Sequence, residues 1–156
     1  MGAGKSTVGK QLSTVLGIPF KDCDEFVEHK YNMTIPQIFE RHGEEYFRTI
    51  EYEALVELSK NAPTIVATGG GIVTNPQSYD FLNKHKCVYL KSDVNTLYER
   101  VKDDTNRPLA DCKENFEQRY NMRVPLYEAL ATQTVQCEHF NEYEVTNKIL
   151  TEMGLI

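Results

Sequence analysis

The residues best placed to do chemistry stand at the start of the chain, Gly2-Ala3-Gly4-Lys5-Ser6-Thr7. They match the second half of the phosphate-binding pattern G-x-x-x-x-G-K-[ST], in which successive backbone N–H groups cradle phosphate oxygens. Gly2 and Gly4 let the backbone curl closely around an anion. Lys5 offers a point charge to the outer phosphates, and Ser6 offers a hydroxyl to Mg²⁺. A helix beginning here would aim its positive end at the same anion. The pattern's first glycine would lie two residues before Met1, with a buried strand ahead of it. We expect both to belong to the native protein and to be absent from this sequence. The competing reading of the stretch is a glycine turn that caps a helix.

Four further groups carry candidate chemistry. Asp22-Cys23-Asp24 follows a short apolar run, and carboxylates at i and i+2 point the same way from extended chain. One could hold Mg²⁺ through water while the other accepts a hydrogen bond from a substrate hydroxyl; an N-cap for a helix starting near Glu25 is the alternative. Arg48 and Glu51 are spaced i,i+3 in a helical stretch. That spacing favours a weak surface ion pair, with an arginine fork for a substrate carboxylate as the other reading. Gly69-Gly70-Gly71 is more glycine than a simple turn needs, which favours close approach of backbone to a ligand. Arg107, in a polar loop, and Arg123 could meet phosphate or carboxylate, or could be solvated. His29, His42, His85 and His139 have no metal-ligand spacing.

The bulk properties limit the rest. A chain of 156 residues, 40% hydrophobic and 26% charged, is an ordinary single-domain composition. There is no apolar run of about 18 residues and no signal-peptide pattern, so neither a membrane span nor secretion is expected. Four separated cysteines, Cys23, Cys87, Cys112 and Cys137, suit a reducing cytoplasm better than a disulfide framework. A net charge of −6 argues against general nucleic-acid binding. Anionic ligands must therefore be drawn by a few placed cations. The arginines are only Arg41, Arg48, Arg100, Arg107, Arg119 and Arg123.

These groups need a frame, and the periodicity supplies one. Helix is predicted over Val8–Leu16 with Gly17 as its stop, then over Glu25–Tyr31. Thr34 and Pro36 open another helix, which should break at His42-Gly43 before a longer one buries Phe47, Ile50, Ala54, Leu55 and Leu58. Thr64–Thr68 reads as a strand buried on both faces. Helix from Asn75-Pro76 to about Lys84, strand Cys87–Leu90 and helix Asn95–Lys102 follow. Asp103–Lys113 should be a mobile loop. Helix resumes at Glu114, interrupted or restarted at Pro125, and runs to Ala131. Strand Thr134–Cys137 and helix Glu142–Met153 complete the chain. Alternating strands and helices imply parallel strands with right-handed crossovers. Four strands are visible, and one feeding the phosphate loop would be a fifth, placed centrally.

Taken together and in order, GAGKST, DCD, FRTIE, ATGGG, RPL and RVPLYE resemble the shikimate kinase family, from Met1 to about Val135. The resemblance implies an α/β fold like that of nucleoside monophosphate kinases: a three-layer α/β/α P-loop kinase. Its parallel sheet has five strands in the order 2-3-1-4-5, the first being absent from this sequence. It implies one kinase domain over 1–156, with a substrate-binding subregion about 23–52 and a lid about 103–114. By the same resemblance Gly2, Ala3, Gly4, Lys5, Ser6, Thr7, Arg100 and Arg107 would hold ATP, with Arg100 stacked on adenine and Arg107 acting from the lid. Ser6, and Asp22 through water, would hold Mg²⁺. Asp24 would bond shikimate hydroxyls and serve as candidate base. Arg48 and Arg123 would grip the shikimate carboxylate, with Gly69, Gly70 and Gly71 contacting shikimate through backbone. Glu138-His139-Phe140-Asn141 departs from the family pattern, because it has no arginine where relatives often close the adenine pocket.

The expected activity is ATP-dependent phosphorylation of the shikimate 3-hydroxyl, a step toward aromatic amino acids, by a cytoplasmic monomer that binds neither nucleic acid nor membrane. The alternatives are a related small-metabolite kinase, such as a gluconate kinase, and a non-catalytic kinase-derived binding protein.

Overall fold

A computed structural model describes residues 4–61, 63–103 and 112–155. Gly4 takes the left-handed conformation (φ 79°) that its lack of a Cβ allows, and from it α1, Lys5–Leu16, begins. Gly17, also left-handed, ends it by donating its N–H to the Ser13 carbonyl. Strand β1, Phe20–Asp22, leads directly into α2, Cys23–Tyr31. Helix α3, Ile35–Leu58, opens on a full capping box in which Thr34 and Gln37 each satisfy the other's backbone N–H. The break expected at His42-Gly43 is a kink inside α3, with Gly43 at φ 83° and ψ 171°.

Strand β2, Ile65–Ala67, passes into a 3₁₀ turn over Gly70–Thr74 and then α4, Pro76–Leu82, capped by Asn75. Strand β3, Val88–Lys91, is followed by α5, Val94–Val101. The expected lid loop lies mostly in 104–111, outside the described residues. Helix α6, Lys113–Leu130, runs through Pro125 without the interruption expected there. Pro125 and Asn121, whose carbonyl loses its N–H partner, are both exposed, so water can serve that carbonyl. Strand β4, Gln133–Gln136, and α7, Glu142–Glu152, complete the described chain.

The strands form two parallel pairs, β1 with β2 and β3 with β4. These pairings agree with the expected order 2-3-1-4-5, in which β1 and β2 correspond to neighbouring strands 2 and 3, and β3 and β4 to strands 4 and 5. Between the pairs lies an apolar cavity of about 620 Å³, lined by Val8, Phe20, Val66, Ala67, Val88 and Leu90 among others. Its position is the one that the expected order assigns to strand 1. The cavity also explains a departure from the sequence reading. Only Ala67 of β2 is buried; Ile65 and Val66 are half-buried and border this space, with Val66 also packing on the Leu55 and Ile72 core.

The core is correspondingly divided. Val8, Leu90, Val135, Val145 and Ile149 join α1 and α7 to the β3–β4 pair. Val27, Ile35, Ile38, Phe47, Ile50 and Ala54 fuse α2 to both arms of α3. Cys23, Leu55, Ile72, Val73 and Leu130 join the start of α2, the second arm of α3, the 3₁₀ turn and α6. Gly9 sets how closely α1 lies on β1, since a Cβ there would stand 2.3 Å from the Phe20 ring. Gly9→Ala should therefore destabilise the fold by about 1–3 kcal/mol, the usual cost of overpacking, although alanine is the better helix former. Denaturant unfolding checks this; equal or greater stability would show that Phe20 yields freely.

Candidate active site

The first half of the site is the junction of α1 and α2. The Ser6 hydroxyl donates to Asp22 Oδ2 at 3.0 Å, while Asp22 Oδ1 accepts from the backbone N–H groups of Asp24 (2.9 Å) and Glu25 (3.2 Å). Asp22 is thus the N-cap of α2, the alternative offered by the sequence, and its other oxygen is the partner of Ser6. The premise that Asp22 and Asp24 point together from extended chain does not hold. Helix α2 begins at Cys23, one residue after the strand ends, and Asp24 lies in its first turn. Lys5 is half-buried at the start of α1 and borders the cavity between the strand pairs, while Thr7 is exposed. Gly2, Ala3 and Arg107 lie outside the described residues.

The second half is a buried cluster around the glycine run. Arg48 donates to Glu51 Oε1 at 3.0 Å and to Glu44 Oε1 at 3.3 Å. Its side chain is 12% exposed and that of Glu51 only 1%, so the surface ion pair that the spacing favoured is an interior one. The three glycines each meet a different partner. A Cβ on Gly69 would stand 3.0 Å from Glu51 Oε2 and 3.5 Å from Asp24 Oδ1. The Gly70 carbonyl accepts from the Tyr127 hydroxyl at 2.5 Å. A Cβ on Gly71 would stand 2.1 Å from the Arg48 guanidinium. Two more bonds fix the turn: Asn75 Nδ2 donates to the Arg48 carbonyl at 3.1 Å, and Thr74 Oγ1 to the Gly71 carbonyl at 2.7 Å.

Arg123 reaches this cluster from α6. It is 4% exposed and hydrogen-bonded to Tyr127. Burial lowers its pKa from the ordinary guanidinium value, and the nearby charges of Arg48 and Arg119 push the same way. Burial raises the Glu51 carboxyl to about 7 against the pull of Arg48, and the Asp24 carboxylate adds to the rise. Cys23, enclosed and flanked by the Glu51, Asp24 and Asp22 carboxylates, has its thiol pKa raised far above the usual range. That rules against a thiolate nucleophile at this position. Arg100 is exposed in the last turn of α5, where its charge acts on the Cys137 thiol beyond β4.

Arg48 and Arg123 both act on the buried Glu51 carboxylate, and guanidinium forks suit a planar carboxylate. Asp24, beside Glu51 where both face Gly69, is suited to accept from hydroxyls. Ser6 and Asp22 are hard oxygen donors of the kind Mg²⁺ takes, with water completing its shell. The structure therefore brings together Asp24, Arg48, Gly69, Gly70, Gly71 and Arg123, and places Ser6 and Asp22 next to them in sequence and space. Two residues of this cluster were given no site of their own by the sequence reading. Glu51 was visible only as a helix neighbour of Arg48. Tyr127 sits four residues after Arg123, which itself sits four after Arg119, and that i,i+4 stripe was the available signal.

A family model described as shikimate kinase matches residues 1–154. The chain belongs to the shikimate kinase family. It is 39% identical over 134 residues to the shikimate kinase of Staphylococcus aureus strain JH9, an alignment covering 84% of this chain and 76% of that relative. Among solved shikimate kinases, that of Acinetobacter baumannii in complex with shikimate superposes with a TM-score of 0.94 at 37% identity, covering 98% of this chain and 88% of that one. The Aquifex aeolicus vf5 enzyme gives 0.88 at 36% identity, covering 99% and 92%. The chain thus has the α/β P-loop kinase fold of shikimate kinases.

Glu51 gives the fold a specific pH dependence. Its carboxyl is pushed up to about 7 in the fold, from 4.5 for a glutamate in water. Between those values the native state holds a proton that the unfolded chain has released, so this group's contribution to stability falls as pH rises through the window. Glu51→Gln should remove that component, on the order of 1–3 kcal/mol across the window. Unfolding free energies of both proteins at several pH values test it; an unchanged slope in the variant would sink the assignment.

Proposed function

We infer that this chain transfers the γ-phosphoryl group of ATP to the 3-hydroxyl of shikimate, giving shikimate 3-phosphate on the route to aromatic amino acids. Family membership carries the reaction, and the site supports the substrate: Arg48 and Arg123 converge with Gly69–Gly71 beside Asp24. Neither a gluconate kinase nor a binding protein without catalysis is favoured by any observation in this site.

The residue roles follow from the chemistry. Arg48, held by Glu51, and Arg123 grip the shikimate carboxylate, while the glycine backbone lines the ring. Asp24 bonds the shikimate hydroxyls and accepts the proton of the attacking one as its oxygen bonds to the γ-phosphorus and the bond to the ADP oxygen breaks. Gly2 to Thr7 cradle the phosphates with Lys5 on the outer oxygens, Arg107 adds positive charge from the lid, and Arg100 stacks on adenine. Ser6 and, through water, Asp22 hold Mg²⁺. When bound, that ion would supply positive charge against the charge of the transferring phosphates. We further propose one kinase domain with its substrate subregion at about 23–52 and its lid at about 103–114. It would work as a monomer, and its free cysteines suit the reducing cytoplasm.

An assay coupling ADP release to NADH oxidation should report turnover that requires ATP, shikimate and Mg²⁺ and stops with EDTA. Lys5→Ala should reduce kcat at least about a hundredfold, the scale of losing a positioned charge in phosphoryl transfer. Arg48→Ala should raise the shikimate KM about tenfold or more while sparing the ATP KM, as loss of a charge-assisted fork predicts. Calorimetric shikimate binding without turnover would instead point to a binding protein, and preference for gluconate in a substrate panel would overturn the substrate.

A further inference from the structure

Tyr127 is the one side chain that bonds both the cationic and the glycine parts of the cluster among the described contacts. Its hydroxyl donates to the Gly70 carbonyl at 2.5 Å, 57 residues away in sequence. The same oxygen accepts from Arg123, one turn back on α6, since a guanidinium has only donors to offer. A phenol is suited to this because its oxygen can donate and accept at once. The ring is itself held. It lies against Tyr89 of β3 with centroids 5.0 Å apart, and it packs on the core of Ile72, Val73 and Leu130.

We propose that Tyr127 is a positioning residue for carboxylate recognition: it fixes the Arg123 guanidinium relative to the Gly69–Gly71 backbone and so sets the preference for an anionic over an uncharged substrate. The proposal rests on the reading that Arg123 grips the shikimate carboxylate. Arg48 is bonded to two glutamates and pressed against Gly71, whereas the neighbouring Arg48 and Arg119 charges disfavour Arg123. Without the Tyr127 oxygen, the Gly70 carbonyl and Arg123 both lose the bond that sets their separation. Shape and apolar packing would survive in phenylalanine, so the loss should fall on recognition before it falls on folding.

Tyr120 provides an internal control. It lies on the same helix and also ties it to a backbone carbonyl, that of Ser92 at 3.0 Å, away from the glycine run. The experiment is calorimetric titration of the full chain and its Tyr127→Phe and Tyr120→Phe variants with shikimate and with shikimate methyl ester, which lacks the carboxylate charge. Tyr127→Phe should weaken shikimate binding about tenfold, the scale of losing a hydrogen bond to a charged group, and ester binding by less than about twofold. Tyr120→Phe should leave both affinities unchanged. In turnover, the loss in Tyr127→Phe should appear in the shikimate KM, with the ATP KM and kcat preserved. Affinity is measured on the folded fraction, so partial unfolding does not mask the acid-to-ester ratio. If Tyr127→Phe weakens acid and ester equally, or neither, the residue is structural and the proposal fails. Absence of shikimate phosphorylation by the unaltered chain would strike the function itself. Turnover by that chain with an unaltered acid-to-ester ratio in Tyr127→Phe would strike only this inference.

Discussion

The buried arrangement of Arg48 between Glu51 and Gly71 is the constraint on which the site depends. Interior charge is tolerated only when neighbouring groups compensate it, and removing one partner of a buried pair is more costly than the pair is stabilising. Glu51 compensates Arg48, but burial raises its pKa enough that it does so incompletely near neutrality. Arg123 brings a second buried cation to the same cluster, where its charge also acts on Glu51. Buried guanidiniums beside close-packed glycine backbone are suited to an anionic ligand.

That arrangement explains the glycines better than flexibility does. Gly71 has no room for a side chain because the guanidinium occupies it, and at Gly69 two carboxylates stand at contact distance. Around this fixed turn, α3 brings Arg48 and Glu51, α2 brings Asp24, and α6 brings Arg123 and Tyr127. The phosphate end is built differently. A left-handed glycine starts α1, and the Ser6–Asp22 bond ties it to the head of α2. The two ends share the short connection from Asp22 to Asp24, so the partner of Ser6 and the carboxylate facing Gly69 are positioned by the same three residues.

Much of this was legible from residue order because it depends on local chemistry. The Thr34–Gln37 capping box, the stop at Gly17, the kink at Gly43 and the Asn75-Pro76 helix start are decided within a few residues, and each is found where its signal stands. The misreadings involve distant neighbours. Arg48 and Glu51 resemble any i,i+3 surface pair until the glycine turn and α6 cover them. Pro125 resembles a helix break until the exposure of its turn is known. Tyr127 carries no local mark of its reach to Gly70. The half-buried faces of Ile65 and Val66 likewise reflect what lies on the far side of the sheet, which alternation within β2 cannot express. Burial and long-range partnership, not element type, were the missing information.

Asp22 divides its two oxygens between two duties: Oδ1 receives the α2 N–H groups, and Oδ2 receives Ser6. An amide oxygen can cap a helix nearly as well as a carboxylate, yet it brings no negative charge and is a poorer ligand for a hard cation. Architecture and electrostatics at this position are therefore separable by a single isosteric exchange of oxygen for nitrogen. That exchange would keep the scaffold while removing the negative charge beside the Ser6 hydroxyl, so shape alone does not report the electrostatics of this position.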